Sequence, residues 1–192
     1  LMDYSMLGVG VGFDLRGADK VQLVKPEVIG ATYQVADTRE GWVELVRIVL
    51  NAYVGIGGLP LNIDYSLIRA EGELLRTFGG VSSGYKPLET LYLALIRLLD
   101  NEIGKKISGT VIADIMNMIG RCVVAGNVRR SSEIALGSIY DEEFSKLKDP
   151  TPKRELREKQ KAVMAKNELH TAMIKQAEEA KEDRKFFSIL SN

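Results

Sequence analysis

The sequence predicts an α/β fold, and three observations predict it. Near the start, Gly8-Val9-Gly10-Val11-Gly12-Phe13 alternates glycine with apolar residues, as a strand or tight loop does where backbones approach closely. Two long stretches with apolar residues at helical spacing follow, at 38–54 and 87–124. A short apolar run, Ser132 to Leu136, then returns as a strand. The strand–helix–helix–strand order is that of an α/β protein with an incomplete sheet.

Taken in order, residues 20–33 are irregular, broken by Pro26 and Gly30, with room for a short strand at Val21–Val24. Asp37-Thr38-Arg39-Glu40 reads as a capping-box variant with Asp37 as N-cap. It opens a helix from about Thr38 to Val54 whose apolar face is Trp42, Leu45, Val46, Val49 and Tyr53, and the stretch from Gly55 to Pro60 ends it. Pro87 to Asp100 forms the next helix, with Leu88, Leu91, Leu95, Leu98 and Leu99 inward. Ser108 or Thr110 caps a further helix to about Val124, striped by Ile112, Ile115, Met116, Ile119 and Val123. A short helix starts at Asp141. Beyond Pro150 and Pro152, a long charged helix over 153–185 is expected.

Composition bounds the function. Over 192 residues, 45% are hydrophobic and 27% charged, as in a soluble globular domain. Acids and bases balance at 26 each, so no general attraction to nucleic acid or an anionic membrane is expected; any phosphate site must be local. The single cysteine, Cys122, allows no disulfide framework, which fits a reducing compartment. No signal peptide or apolar run of membrane-spanning length is present, and a cytoplasmic location is expected. Leu1 suggests a chain that begins inside a longer protein.

Three segments could carry chemistry. The glycines before Asp14 can expose backbone N–H groups to a ligand, although the same pattern suits a packed core strand. No helix follows them, so this is not a dinucleotide fingerprint. Arg69 and Arg76 precede the loop Gly79-Gly80-Val81-Ser82-Ser83-Gly84, which leads into a helix. Arginine forks and a helix N-terminus together make a triphosphate cradle; a capping loop with two solvated arginines fits the residues equally. Ala125-Gly126-Asn127-Val128-Arg129-Arg130 joins an apolar helix to a strand, with two arginines that point apart if the chain is extended. Its bland alternative is a surface loop. Glu133, in an apolar strand, needs a cationic partner such as Arg130 if buried. Cys122 reads first as a small core residue and second as a redox thiol. His170 stands alone without metal-ligand spacing, and Asp141-Glu142-Glu143 reads as helix N-terminus acids, so no metal site is expected.

Four blocks carry a family resemblance: residues 8–17 (GVGVGFDLRG), 37–45 (DTREGWVEL), 64–84 (DYSLIRAEGELLRTFGGVSSG) and 114–137 (DIMNMIGRCVVAGNVRRSSEIALG). Their order resembles that of class II, adenosylcobalamin-dependent ribonucleoside-triphosphate reductases, over roughly residues 1–148. The resemblance implies part of an α/β barrel of two antiparallel halves across 1–149, with 18–63 as an insertion that imitates a dimer interface in monomeric members, and 150–192 as a charged helical insert or tail. It implies reduction of a ribonucleoside triphosphate by a thiyl radical that adenosylcobalamin generates, with electrons from a cysteine pair and a thioredoxin-like reductant. Gly10, Gly12 and Asp14 then fall in a first specificity loop. Arg69, Arg76, Gly79, Gly80, Ser82 and Ser83 bind a deoxynucleoside triphosphate effector. Ala125, Gly126, Asn127, Val128, Arg129 and Arg130 form a second loop between effector and substrate, with Arg129 reaching toward substrate. No catalytic residue is expected here: Cys122 matches no catalytic cysteine, the upstream redox cysteine is expected before Leu1, and the radical cysteine and cobalamin site after Asn192. The alternatives are a noncatalytic nucleotide-binding module and a tail that acts through protein contacts.

Overall fold

The computed structural model describes residues 1–75, 80–125 and 131–147. The expected long helix at 153–185, with His170, lies outside them. So do Arg76, Gly79 and residues 126–130. The described residues fall in one compact unit, Leu1–Leu147.

The fold is mixed α/β. The elements are α1 (Met2–Met6), β1 (Val11–Asp14), β2 (Glu27–Gln34), α2 (Arg39–Tyr53), β3 (Gly58–Asp64), α3 (Lys86–Asp100), α4 (Gly109–Val124), β4 (Glu133–Leu136) and α5 (Glu142–Lys146). Among the described residues there are two parallel pairs, β1 with β4 and β2 with β3. The second pair and α2 form a β–α–β unit, since parallel neighbours need a crossover.

Several expectations change. Residues 20–33 hold β2, which the glycine and proline breakers concealed; β3 replaces what reads as a simple helix terminator. Both strands escaped the alternation test because β2 is exposed along almost its whole length, so burial imposes no period of two on its residues. Gly30 falls within the register break between Ile29 and Thr32, and Pro60 is tolerated because a two-stranded sheet consists only of edges. Val21–Val24 is not a strand; it contributes one isolated bridge, Gln22 to Lys106. The cap of α2 is Thr38, whose Oγ1 accepts the Gly41 N–H at 3.0 Å, and not Asp37.

Helices α2, α3 and α4 build the core. Leu45, Val49, Leu88, Leu95 and Leu99 are at most 1% exposed, each such burial stabilising by roughly 1.5–3 kcal/mol. Trp42 packs on the cluster from its margin, and the Tyr53 hydroxyl donates to Asp100, tying α2 to α3. On α4 the inward residues include Val111, Ile115, Ile119 and Cys122; Ile115 and Ile119 are inward as expected, while Ile112, Met116 and Val123 are only partly buried. Ser108 caps α4 at Val111, and Glu143 of α5 accepts the N–H groups of Gly109 and Thr110, so the acidic run at 141–143 serves two helix starts. β1 is half-buried rather than buried, because its pair with β4 leaves one face uncovered: Ile134 and Leu136 are exposed.

Candidate functional site

The β1–β4 pair joins two of the sequence blocks. The Val11 N–H donates to the Ser132 carbonyl at 2.9 Å and the Ser131 hydroxyl to the Val9 carbonyl at 2.8 Å. The first glycine block therefore lies against the residues that follow 126–130. Gly10 makes a close approach there: a Cβ on it would sit 2.7 Å from the Ser132 hydroxyl, which would have to turn away. Asp14 is committed locally, accepting from the Arg16 side chain at 2.6 to 3.0 Å, and this pairing holds its carboxyl down at about 2.

The parallel pair β2–β3 positions the arginine block. Gln34 is in register with Asp64, so the chains leaving the two strands run side by side. Three residues past Gln34 is Asp37 and five past Asp64 is Arg69; the Arg69 Nε donates to Asp37 Oδ2 at 2.6 Å. Beyond Arg69 the chain makes a small antiparallel hairpin, with Leu74 bridged to Val81, Ser82 N–H on the Glu73 carbonyl at 2.7 Å and Leu75 N–H on the Gly80 carbonyl at 3.0 Å. Gly80, at φ 92°, adopts the left-handed backbone that favours glycine. Ser82 is buried and its hydroxyl is used internally. It accepts the Gly84 N–H at 3.0 Å and lies 3.5 Å from the Arg69 carbonyl, bracing the backbone that carries the arginine. Ser83 is half-buried beside it.

Helices α3 and α4 enclose a cleft of about 320 Å³ between the two blocks in sequence. Its lining includes Lys86 and Thr90 from the first turns of α3, and Met118, Arg121, Cys122 and Ala125 from the end of α4. One wall thus begins two residues after Gly84; the other ends at Ala125, immediately before 126–130. Lys86 and Arg121 form no ion pair among the described residues. The partial positive charge of the α3 N-terminus adds to theirs. An apolar slot with two cations and a helix start suits a flat, apolar ring that carries an anionic tail. Among the described residues no hydrogen bond joins β1 to the Arg69–Ser83 segment, and the cleft is lined by residues that follow that segment or precede 126–130 in sequence, not by those segments themselves.

Sequence reasoning singled out neither Lys86 nor Arg121, and saw Asp37 only as a cap. The signal for Lys86 was its place two residues after the glycine-serine block. Cys122 is 6% exposed, and burial pushes its thiol up to about 12, so it is a protonated core residue and not a thiolate. Glu133 is half-buried; one carboxyl oxygen is buried without a hydrogen-bond partner, burial raises its pKa, and a Cβ on Gly120 would sit 2.6 Å from it. Its expected partner Arg130 lies outside the described residues. No group of three or more His, Cys, Asp or Glu able to hold a metal occurs among the described residues, and no described helix is long and apolar enough to cross a membrane.

Residues 13–99 match the family model of the insertion domain of B12-dependent ribonucleotide reductases. That span contains the expected 18–63 insertion and continues to the end of α3. The chain is 49% identical over 150 residues to the adenosylcobalamin-dependent ribonucleoside-triphosphate reductase of Euglena gracilis, covering 77% of this chain and 20% of that protein. It is 45% identical over 167 residues to the probable enzyme of the same name from Dictyostelium discoideum, covering 78% of this chain and 22% of that one. The Lactobacillus leichmannii reductase is 39% identical over 125 residues, covering 63% and 17%. A crystal structure of a B12-dependent, class II ribonucleotide reductase superposes with a TM-score of 0.59 at 29% identity, covering 82% of this chain and 26% of that one. Sequence and fold agree: the chain belongs to the B12-dependent ribonucleotide reductase family, and spans about a fifth of the length of the curated relatives it matches.

Proposed function

We propose that this chain is the effector-reading segment of an adenosylcobalamin-dependent ribonucleoside-triphosphate reductase. The whole enzyme reduces a ribonucleoside triphosphate in DNA precursor synthesis, drawing electrons from a thioredoxin-like protein, and works as a monomer in the cytoplasm. In that enzyme 1–149 contributes to the barrel, with 18–63 as a dimer-mimicking insertion, and 150–192 is a charged insert.

The α3–α4 cleft carries this reading. A deoxynucleoside triphosphate in the slot sets its base against the apolar wall and its phosphates at Lys86, Arg121 and the α3 N-terminus, on the side that leads to the Arg69–Ser83 block. Arg76 and Gly79, which lie outside the described residues, are assigned to the same phosphate-binding role. The same ligand lies beside Ala125 and so biases residues 126–130, from which Arg129 extends to the substrate. Coupling follows from differential binding: an effector that prefers one arrangement of 126–130 shifts its population and with it the base accepted.

The described residues do not fit the cofactor itself. Two of their clefts, about 340 and 320 Å³, are each far smaller than a corrin with its adenosyl group, and the lone Cys122 cannot form a redox pair within the chain. Both groups belong to other parts of the enzyme. The test is a calorimetric titration of the full chain with each of the four deoxynucleoside triphosphates. Saturable binding of at least one, lost in the Lys86→Ala, Arg121→Ala double variant, is expected; a folded chain that binds none overturns the reading.

A further inference from the structure

Arg69 is not simply a free cation waiting for an anion. Its guanidinium has two hydrogen-bonding edges, and Asp37 occupies one through Nε at 2.6 Å. Both side chains are about a third exposed, 32% and 30%, so the pair is neither sealed in the core nor fully solvated. Everything around it fixes its geometry. Asp37 immediately precedes the Thr38 cap of α2, and the chain there is so tight that a Cβ on Gly41 would fall 2.5 Å from the Ala36 carbonyl. The next residue along, Arg39, reaches Asp3 of α1 at 2.6 Å. On the other side, Ser82 supports the Arg69 backbone, and the Val35 N–H donates to the Asp64 carbonyl at 2.9 Å to hold the two outgoing chains together.

We propose that Asp37 is a positioning residue for the effector site: by holding the Nε edge of Arg69 it presents the remaining Nη1–Nη2 edge to the triphosphate. This rests on the effector reading above and deepens it, since it makes the insertion's β–α–β unit part of the phosphate cradle. A fork held in place loses less side-chain freedom when it binds than one that must be ordered by the ligand.

The sign of one substitution separates this from plain electrostatics. Removing a negative charge beside a polyanion site strengthens binding on Coulomb's law alone. Loss of orientation weakens it. In the full chain, Asp37→Asn is expected to weaken calorimetric binding of the tightest deoxynucleoside triphosphate, and of inorganic tripolyphosphate, by roughly tenfold, the size of a lost charge-assisted hydrogen bond. Asp37→Glu recovers part of the loss. In an Arg69→Ala background, Asp37→Asn has no further effect, because the group it positions is gone. A thermal melt of each variant separates unfolding from misplacement. Unchanged or tighter binding in a folded Asp37→Asn chain overturns the proposal while leaving the effector reading intact, and so does an equal loss in the Arg69→Ala background. A wild-type chain that binds no deoxynucleotide overturns both.

Discussion

Replacing Gly41 by alanine tests how the insertion helix is anchored. In an exposed helix interior this change stabilises by about 1 kcal/mol, since alanine restricts the unfolded chain and favours helix. Gly41 is in the first turn of α2, and a Cβ there would lie 2.5 Å from the Ala36 carbonyl oxygen, 3.0 Å from the Ala36 Cβ and 3.1 Å from its carbonyl carbon. The obstacle is backbone, so no side-chain rotation relieves it. Either α2 shifts or the 36–38 segment does. Forced overpacking costs about 1–3 kcal/mol. Movement also strains the Thr38 cap, whose acceptor holds the Gly41 N–H at 3.0 Å and whose loss costs about 1 kcal/mol. The costs exceed the helix gain, and Gly41→Ala is expected to destabilise by about 1–3 kcal/mol, lowering the melting temperature by about 3–9 °C. Gly17 supplies the control: it has nothing within 4 Å of its would-be Cβ, so Gly17→Ala should be neutral or slightly stabilising. Calorimetric or dichroism melts of the three chains decide it. A Gly41→Ala chain as stable as wild type would refute the tight 36–41 turn and, with it, the fixed placement of Asp37.

Two further predictions concern the supports of the cleft. Glu143→Ala removes the acceptor for two N–H groups at the start of α4 and is expected to cost about 1–2 kcal/mol in urea unfolding at pH 7; a change under about 0.3 kcal/mol would contradict the cap. Burial alone would raise the Glu143 pKa, but hydrogen bonds from Thr110, Ser108 and Gly109 outweigh it, and the folded value lies below the ordinary 4.5. The stabilisation is therefore full above that value and fades as pH falls through the lower folded one, so the variant's deficit should shrink under acid. Cys122, buried and protonated, should resist aromatic disulfide reagents at pH 8 until urea unfolds the chain; rapid stoichiometric labelling of the folded protein would contradict its place in the core.

What was legible in the sequence follows the physics of burial. Helices α2 and α3 were readable because a core presses on one side of each and imposes a period: Leu45, Val49, Leu91 and Leu95 are inward as spaced. β4 was readable from its short apolar run. β2 and β3 were not, because a two-stranded sheet with exposed residues such as Val28, Ile29 and Leu61 leaves no alternation to find. The site divides in the same way. Glycine spacing announced the loops, where Gly10 makes a close approach and Gly80 adopts a left-handed backbone. Partnerships were hidden. Nothing in sequence separation reveals that Asp37 meets Arg69 or that Ser82 braces the Arg69 backbone. The first depends on register between β2 and β3, the second on the Leu74–Val81 bridge that brings Ser82 back to Arg69, and both on side-chain direction.

Amide hydrogen exchange of the full chain, with and without its tightest deoxynucleoside triphosphate, bears most directly on the central claim that the α3–α4 cleft reads an effector for the neighbouring loop. Slowed exchange is expected together at the start of α3 around Lys86, at the end of α4 around Arg121 to Ala125, and at Ser131–Glu133. Protection confined to the β2–α2–β3 cleft around Arg47 and Ile48, with α3 and α4 unchanged, would contradict it.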